Sequence, residues 1–305
     1  MEGIIMKTVY IIFNPLSGKK NDSLAALVKE ELIEKGFQAE NIKLVTPHSA
    51  EEAFLKAKEI SQNKIDLVIP LGGDGTINKI IGGVYERGAF TKIGLIPSGT
   101  VNNFAKALDI PLSMKQAIDV IANGIEKKVD ICKVNGQYMI SSLTLGLLAD
   151  IAADVTPQAK RRFGPFAFLK DAIRILKRNR TYSLVVEIGD KTITTTTKFL
   201  LVTMSNTIAG FPSFSPNALV DDGLMQVYTM KQIHFLKFLF HINAFRRGDF
   251  SKAEEISHFQ TNQLTIRPAN RKKFSRARTR IDGDKSDYIP VSMTVLKKAI
   301  TVIVP

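Results

Sequence analysis

The 305-residue chain has one cysteine, Cys132, so no disulfide can form within it. A reducing compartment is the matching expectation. No apolar run approaches the roughly 20 residues that a membrane-spanning helix needs. The opening segment lacks a long apolar core because Lys7 interrupts it, and no small-residue cleavage site follows. Its stretch Thr8–Phe13 reads as a buried strand rather than a signal peptide. There is no internal repeat, low-complexity tract or long linker, and no GxxxxGK[ST] run, which excludes a P-loop protein. These absences leave a soluble, cytoplasmic chain, able to touch a membrane surface without crossing it.

The first half also lacks any excess of charge. Residues 1–130 hold 16 Lys+Arg against 16 Asp+Glu, whereas residues 131–305 hold 26 basic and 13 acidic residues, the whole formal +13. So sharp a split predicts two domains with different partners, at 1–130 and 131–305. The basic half suits an anionic partner, an acidic lipid surface or a nucleic acid.

What is present begins with alternation. Strand-like runs at Thr8–Phe13, Ile42–Val45, Ile65–Pro70 and Ile93–Ile96 alternate with helical stretches at Leu24–Lys35, Ala50–Ser61, Ile77–Glu86, Asn103–Leu108 and Met114–Ala122. This pattern predicts an α/β domain with a parallel sheet whose ligands bind at the carboxyl ends of the strands. After Asp130 the texture turns threonine-rich and alternating, as in Tyr182–Ile188, Thr192–Thr203 and Leu264–Arg267. Turns fall at Asn135-Gly136 and Gly189-Asp190. The second domain is expected to be a mainly antiparallel β-sandwich with helical insertions at Phe166–Arg178 and Ile233–Arg246, and the active site to lie in the cleft between the domains.

Three loops in the first half each follow a buried strand. They are Asn14-Pro15-Leu16-Ser17-Gly18, Gly72-Gly73-Asp74-Gly75-Thr76 and Pro97-Ser98-Gly99-Thr100-Val101-Asn102. Glycines let backbone N–H groups approach phosphate oxygens, and a following helix N-terminus favours negative charge. Turning the chain is the plainer role for any one such loop; three in series at strand–helix junctions point to phosphate. Asp74, a carboxylate on an exposed loop among phosphates, suits Mg²⁺ binding or proton transfer.

At these loops the sequence resembles the diacylglycerol kinase catalytic domain family, shared with sphingosine and ceramide kinases and nearest the soluble bacterial lipid kinases. The likeness extends through Val129-Asp130-Ile131, Lys160–Pro165, Ser215–Ala218 with Asp221-Asp222-Gly223, and Asp282-Gly283-Asp284. It implies an ATP- and Mg²⁺-dependent kinase that phosphorylates a diacylglycerol-like lipid at an anionic membrane surface. Asn14 to Gly18, Thr46 and Thr100 are implied in nucleotide binding, with Gly72, Gly73, Asp74, Gly75, Thr76, Ile77 and Asn78. Asp222 and the carbonyls of Leu219 and Leu224 match a magnesium site, with Asp130 in support. Asp284 stands where the family has a glutamate as general base, Asp74 beside it in the catalytic set. A homodimer is compatible with the family; a nucleic-acid partner is not expected.

The departures from the family are Lys79 for a glutamate, Asn103 for an aspartate, Cys132 for a glycine, and Asp284 itself. The shorter Asp284 retracts its carboxylate by roughly 1.5 Å, one carbon–carbon bond. Two alternatives therefore stand beside the lipid kinase: a catalytically degenerate regulator that binds nucleotide or lipid, and a kinase of the same superfamily with a soluble substrate such as NAD. His234 and His241 carry no metal-ligand spacing and read as packing or surface residues. The stripe Phe166, Leu169, Ile173, Leu176 reads as core before lipid-docking face. The cluster Arg271-Lys272-Lys273 with Arg276, Arg278 and Arg280 is either a solvated hairpin or an anion-binding patch.

Overall fold

The computed structural model describes residues 7–13, 19–146, 181–208, 214–230, 256–270 and 277–305. The first loop (Asn14–Gly18), Lys160–Pro165, both helical insertions, His234, His241 and the basic residues at 174–180 and 271–276 lie outside the described residues. The chain divides into two compact units: Met1–Ile131 with Val220–Gly223 and Leu296–Pro305, and Cys132–Leu219 with Leu224–Val295.

In the first unit, strands β1 (Val9–Phe13), β2 (Ile42–Val45), β3 (Leu67–Gly72), β4 (Lys92–Ile93) and β5 (Ile96–Pro97) alternate with helices α1 (Lys19–Glu34), α2 (Ala50–Gln62), α3 (Asp74–Tyr85), α4 (Asn103–Ala107) and α5 (Met114–Asn123). The strands are parallel, in the order β2-β1-β3-β4, with β5 also on β3. All but the last residue of β3 is buried, as a run with helices on both faces requires. The single strand expected at Ile93–Ile96 is instead two short pairings. The ladder from β3 to β4 and β5 is interrupted opposite Ile69 and Pro70. Pro70 has no N–H to donate there.

Helix α2 starts where local chemistry places it. Ser49 Oγ accepts from Glu52 N (3.1 Å), and Glu52 Oε2 accepts from His48 N (2.8 Å), a reciprocal cap. Its buried Ala53, Ala57 and Ile60 share one face. Helix α3 lies so close that a Cβ on Gly83 would stand 2.4 Å from Phe54 O and 2.8 Å from Ala57 Cβ.

The second unit is an antiparallel β-sandwich. Its strands are β6 (Ile125–Val134), β7 (Gln137–Met139), β8 (Ser142–Gly146), β9 (Tyr182–Ile188), β10 (Lys191–Thr197), β11 (Phe199–Thr203), β12 (Met225–Met230), β13 (Ile256–Thr261), β14 (Gln263–Pro268), β15 (Arg278–Ile281), β16 (Asp284–Tyr288) and the long β17 (Val291–Val304). Strands β6 and β17 both begin or end in the first unit, where Val302 pairs with Ile93. One sheet runs β10-β9-β14-β17 and the other β13-β12-β11-β8-β15-β16. Leu184, Val186, Leu264, Ile266 and Met293 from one meet Leu143, Leu145, Leu200, Val202 and Val227 from the other in a dry core. The turns expected at Asn135 (φ 51°) and Gly189 (φ 54°) are in place.

The segment expected as continuous at Thr192–Thr203 breaks at Lys198, where the chain leaves one sheet for the other. Buried Thr197 makes the corner. Its hydroxyl, with one proton to give, lies within hydrogen-bond reach of Phe199 O and Met230 O and accepts from Met230 N. Thr261 does the same at the return crossing, donating to Gln263 O (2.7 Å) and accepting from Gln263 N (3.2 Å). Hydroxyls of this kind satisfy backbone groups that the ladder drops at a corner.

The contact at Gly83 generates a stability test. The atom facing it is a helix carbonyl that cannot swing aside, so Gly83→Ala should overpack the α2–α3 interface and cost about 1–3 kcal/mol. Urea unfolding reads this as a lower midpoint with unchanged slope. An unchanged midpoint would mean that the two helices separate freely.

Candidate functional site

The carboxyl end of the parallel sheet is built from two glycine loops in contact. Gly72 ends β3, Gly73 is the N-cap of α3, and Gly99 follows β5. A Cβ on Gly99 would lie 2.6 Å from Gly73 Cα and 2.7 Å from Asn102 Oδ1, so the two backbones touch with no room for a side chain. Ser98 Oγ donates to Gly72 O (3.2 Å), a second tie between the loops. Asn102, in the left-handed region at φ 54°, folds its carboxamide back on Gly99, accepting from its N–H (2.9 Å) and donating to its carbonyl (3.0 Å). The third loop is therefore closed on itself before α4 begins.

Asp74 was expected on an exposed loop, and the structure corrects that. It is 8% exposed, in the first turn of α3. Its Oδ2 accepts from Asn103 N (3.0 Å) and its Oδ1 from Phe104 N (3.3 Å). These are the first two N–H groups of α4, whose own N-cap side chain makes no capping bond. One carboxylate thus caps the neighbouring helix while sitting at the positive end of its own. Burial pushes its pKa above the ordinary carboxylate range; the two N–H donors and Lys106 pull the other way without cancelling it. Little in the residues around Asp74 announces this anchor. Its one signal is the pair Asn102-Asn103, which reads as a self-capping start although the Asn102 side chain is used elsewhere.

The remaining members of the implied nucleotide set are distributed as follows. Gly75 and Thr76 are half-buried in the first turn of α3, and Ile77 and Asn78 are buried behind them. Thr100 is exposed on the third loop. Thr46 is exposed just beyond β2 and lines a groove of about 310 Å³ with Tyr10, Val45, Glu52 and Lys56. Lys79, where the family has a glutamate, lies near Glu51 at the start of α2. Glu51 is held below the usual carboxylate range by its own backbone N–H first, then Ser49, with a smaller contribution from Lys79.

Asp130 on β6 is the second buried carboxylate. Its Oδ1 accepts from Lys298 N and its Oδ2 from Gly223 N, both at 2.6 Å, while its own N–H donates to Val220 O (2.8 Å). Burial raises its pKa, the two backbone donors oppose this, and Asp222 and Asp221 add to the rise. The segment Val220–Gly223 is thereby fastened beside Asp130. Asp222 with the carbonyls of Leu219 and Leu224 would offer only oxygen donors, the kind that a hard cation such as Mg²⁺ takes. Among the described residues no three acidic or histidine side chains converge as a metal cluster. Asp284 opens β16 in the second unit, exposed and paired with Ile281.

The raised pKa of Asp74 has a sign that can be measured. Its folded value exceeds the unfolded one, so the folded chain binds the extra proton and stability falls as pH climbs from about 4, the unfolded value. In metal-free buffer, the stability of wild type relative to Asp74→Asn should therefore decline between pH 4 and 7. A difference that stays flat, or grows with pH, would show that hydrogen bonding outweighs burial.

Comparison with known proteins agrees with this geometry. Residues 8–134 match the diacylglycerol kinase catalytic domain, and residues 141–304 match the YegS C-terminal NAD kinase beta sandwich-like domain. A diacylglycerol kinase of Staphylococcus carnosus (strain TM300) is 28% identical over 299 residues, covering 98% of this chain and 95% of the relative. The diacylglycerol kinase of Bacillus subtilis (strain 168) is 28% identical over 302 residues, with 98% and 97% covered. A crystal structure of a diacylglycerol kinase from Bacillus anthracis str. Sterne shares the fold, with a TM-score of 0.75 at 22% identity over 99% of this chain and 98% of that one. With the one domain matched over residues 8–134 and the other over residues 141–304, almost the whole chain is accounted for, and the chain belongs to the diacylglycerol kinase catalytic domain family of lipid kinases.

Proposed function

We propose that this kinase transfers the γ-phosphate of ATP to the free hydroxyl of a diacylglycerol-like lipid, giving phosphatidic acid at a membrane surface. The observation that carries the reading is the pair of loops held Cα against Cα at Gly73 and Gly99, with Asp74 buried between α3 and α4. Backbone loops at a helix N-terminus suit phosphates, and phosphoryl transfer asks chiefly for positioning and charge stabilisation. In this reading Gly72 to Asn78, with Thr46, Thr100 and Asn14 to Gly18, hold the nucleotide. Asp284 takes the proton from the attacking hydroxyl as its oxygen bonds to the γ-phosphorus, and ADP departs with the electron pair of the broken P–O bond. Mg²⁺ would be held by Asp222 with the carbonyls of Leu219 and Leu224, Asp130 keeping that segment in place; when bound it would neutralise local negative charge. Asp74 supports the same cleft of loops by fixing α4.

A second reading is a nucleotide-binding regulator without turnover, favoured by the charge-reversed Lys79 and the shorter Asp284. Labelled phosphate transfer from Mg-ATP to micellar diacylglycerol, with NAD in a parallel arm, separates them. Labelled phosphatidic acid is expected. Label in NAD alone would move the substrate class, and ATP binding without any labelled product would favour the regulator. Asp284→Asn should lower kcat about 10²-fold or more while leaving ATP affinity nearly unchanged. A variant that keeps most of its rate would remove Asp284 from the role of base.

The charge split supports peripheral docking. No helix among the described residues is long and apolar enough to cross a membrane. Basic residues near an anionic leaflet contribute on the order of 1 kcal/mol each, decaying within a Debye length of about 8 Å at physiological salt. Sedimentation with phosphatidylglycerol-rich vesicles is therefore expected, with little on phosphatidylcholine and most binding lost by about 0.5 M salt, where the Debye length is roughly half as long. Equal, salt-insensitive binding to both would assign the basic surface another purpose.

A further inference from the structure

Asp282 lies at the tip of the β15–β16 hairpin, two residues before the proposed base. It and Gly283 both occupy the left-handed region, at φ 50° and 92°, which is the dihedral pattern of a tight two-residue hairpin. A turn of this kind needs no carboxylate. The same chain makes its β6–β7 turn with Asn135 at φ 51°.

What the carboxylate does at 282 is hold three consecutive backbone donors. Oδ2 accepts from Ile140 N (3.0 Å), and Oδ1 accepts from Ser141 N (2.9 Å) and Ser142 N (2.8 Å). The Asp282 N–H completes the grip by donating to Ser142 O (2.8 Å). Hydrogen bonds to an ionised acceptor are roughly twice as strong as neutral ones. Their target is Ile140 and Ser141, just before β8, and Ser142, its first residue; β8 lies between β11 and β15 in the interior of its sheet, so the anchor is paired on both sides. Arg280 Nη1 donates to Gly283 O (2.9 Å) and closes the tip from the other side. Asp284 is the next residue, paired across the hairpin with Ile281.

We infer that Asp282 is a positioning residue for phosphoryl transfer: its carboxylate, clamped on the amides of Ile140, Ser141 and Ser142, fixes the hairpin tip and with it the Asp284 carboxylate. The inference rests on Asp284 acting as the base. A short aspartate has little reach to correct a displaced backbone, and an error near 1 Å in a reacting group costs about 10²-fold in rate. The clamp removes that freedom.

The test compares purified variants in mixed micelles of diacylglycerol with Mg-ATP. Asp282→Asn keeps the size and the tolerance for the left-handed turn, but turns an NH₂ donor toward the amide donors. Its kcat should fall at least tenfold while the KM for ATP stays within twofold. Thr279→Val removes the hydroxyl bond from Thr279 Oγ1 to Asp287 O in the same hairpin. It should lower Tm yet leave kcat within twofold of wild type. Should Asp282→Asn fail to fold, Asp282→Glu, which keeps the charge on a longer arm, is expected to show the same loss of kcat at constant KM. Wild-type kcat in the Asp282 variants beside an inactive Asp284→Asn would overturn the positioning role alone. So would a loss of kcat that tracks Tm equally in Thr279→Val. If Asp284→Asn itself retains its rate, the assignment of the base falls and the role of Asp282 falls with it.

Discussion

The functional end of the first unit depends on one carboxylate accepting two backbone N–H groups across a loop junction. Gly72, Gly73 and Gly99 have no side chains with which to hold each other by packing. Two loops of that composition would drift apart in water, because nothing apolar is gained by their meeting. Polar ties must hold them, and the Asp74 bonds to α4 are the most buried of these, backed by Ser98 on Gly72, while Asn102 keeps the third loop closed on Gly99. The order of events in the chain follows from this. The strand places the glycines, the helix start places Asp74, and Asp74 places the next helix.

The two carboxylates buried among the described residues, Asp74 and Asp130, take backbone amides as their hydrogen-bond partners in preference to arginine or lysine side chains. An amide donor satisfies the oxygen without neutralising it, so little opposite charge offsets the burial of either group. In both, burial is the largest influence and the pKa rises. Carboxylates held at a net cost of this kind concentrate at functional sites, where charge has a task beyond stability. Structural ion pairs give the opposite sign, with the carboxyl pulled down by its partner.

Much of this architecture was legible from the amino-acid order. The helix expected at Ala50–Ser61 starts where Ser49 and Glu52 cap it, and the turns at Asn135-Gly136 and Gly189-Asp190 fall where left-handed dihedrals are tolerated. Local chemistry decides those features, so a local reading finds them. The glycine loops were legible for the same reason, since their strand–loop–helix setting repeats in sequence. What escaped depends on distant neighbours. Pro70 divides β4 from β5 only because β3 faces both of them across the sheet, and Thr192–Thr203 looks like one strand until two sheets claim its halves. Asp74 looks exposed in the sequence because the donors it meets lie 29 and 30 residues further on.

The threonine corners at Thr197 and Thr261 have a consequence for how the second unit comes apart. A sandwich whose layers are joined only by loops can lose one layer while the other persists. Here the backbone passes between the layers twice with just one residue, Lys198 or Asn262, outside the ladders at each crossing. Slipping either sheet by one position would drag the other and turn its inward side chains toward solvent. The two layers therefore behave as a single cooperative block, in which hydrogen-exchange protection of β9 and of β12 should rise and fall together.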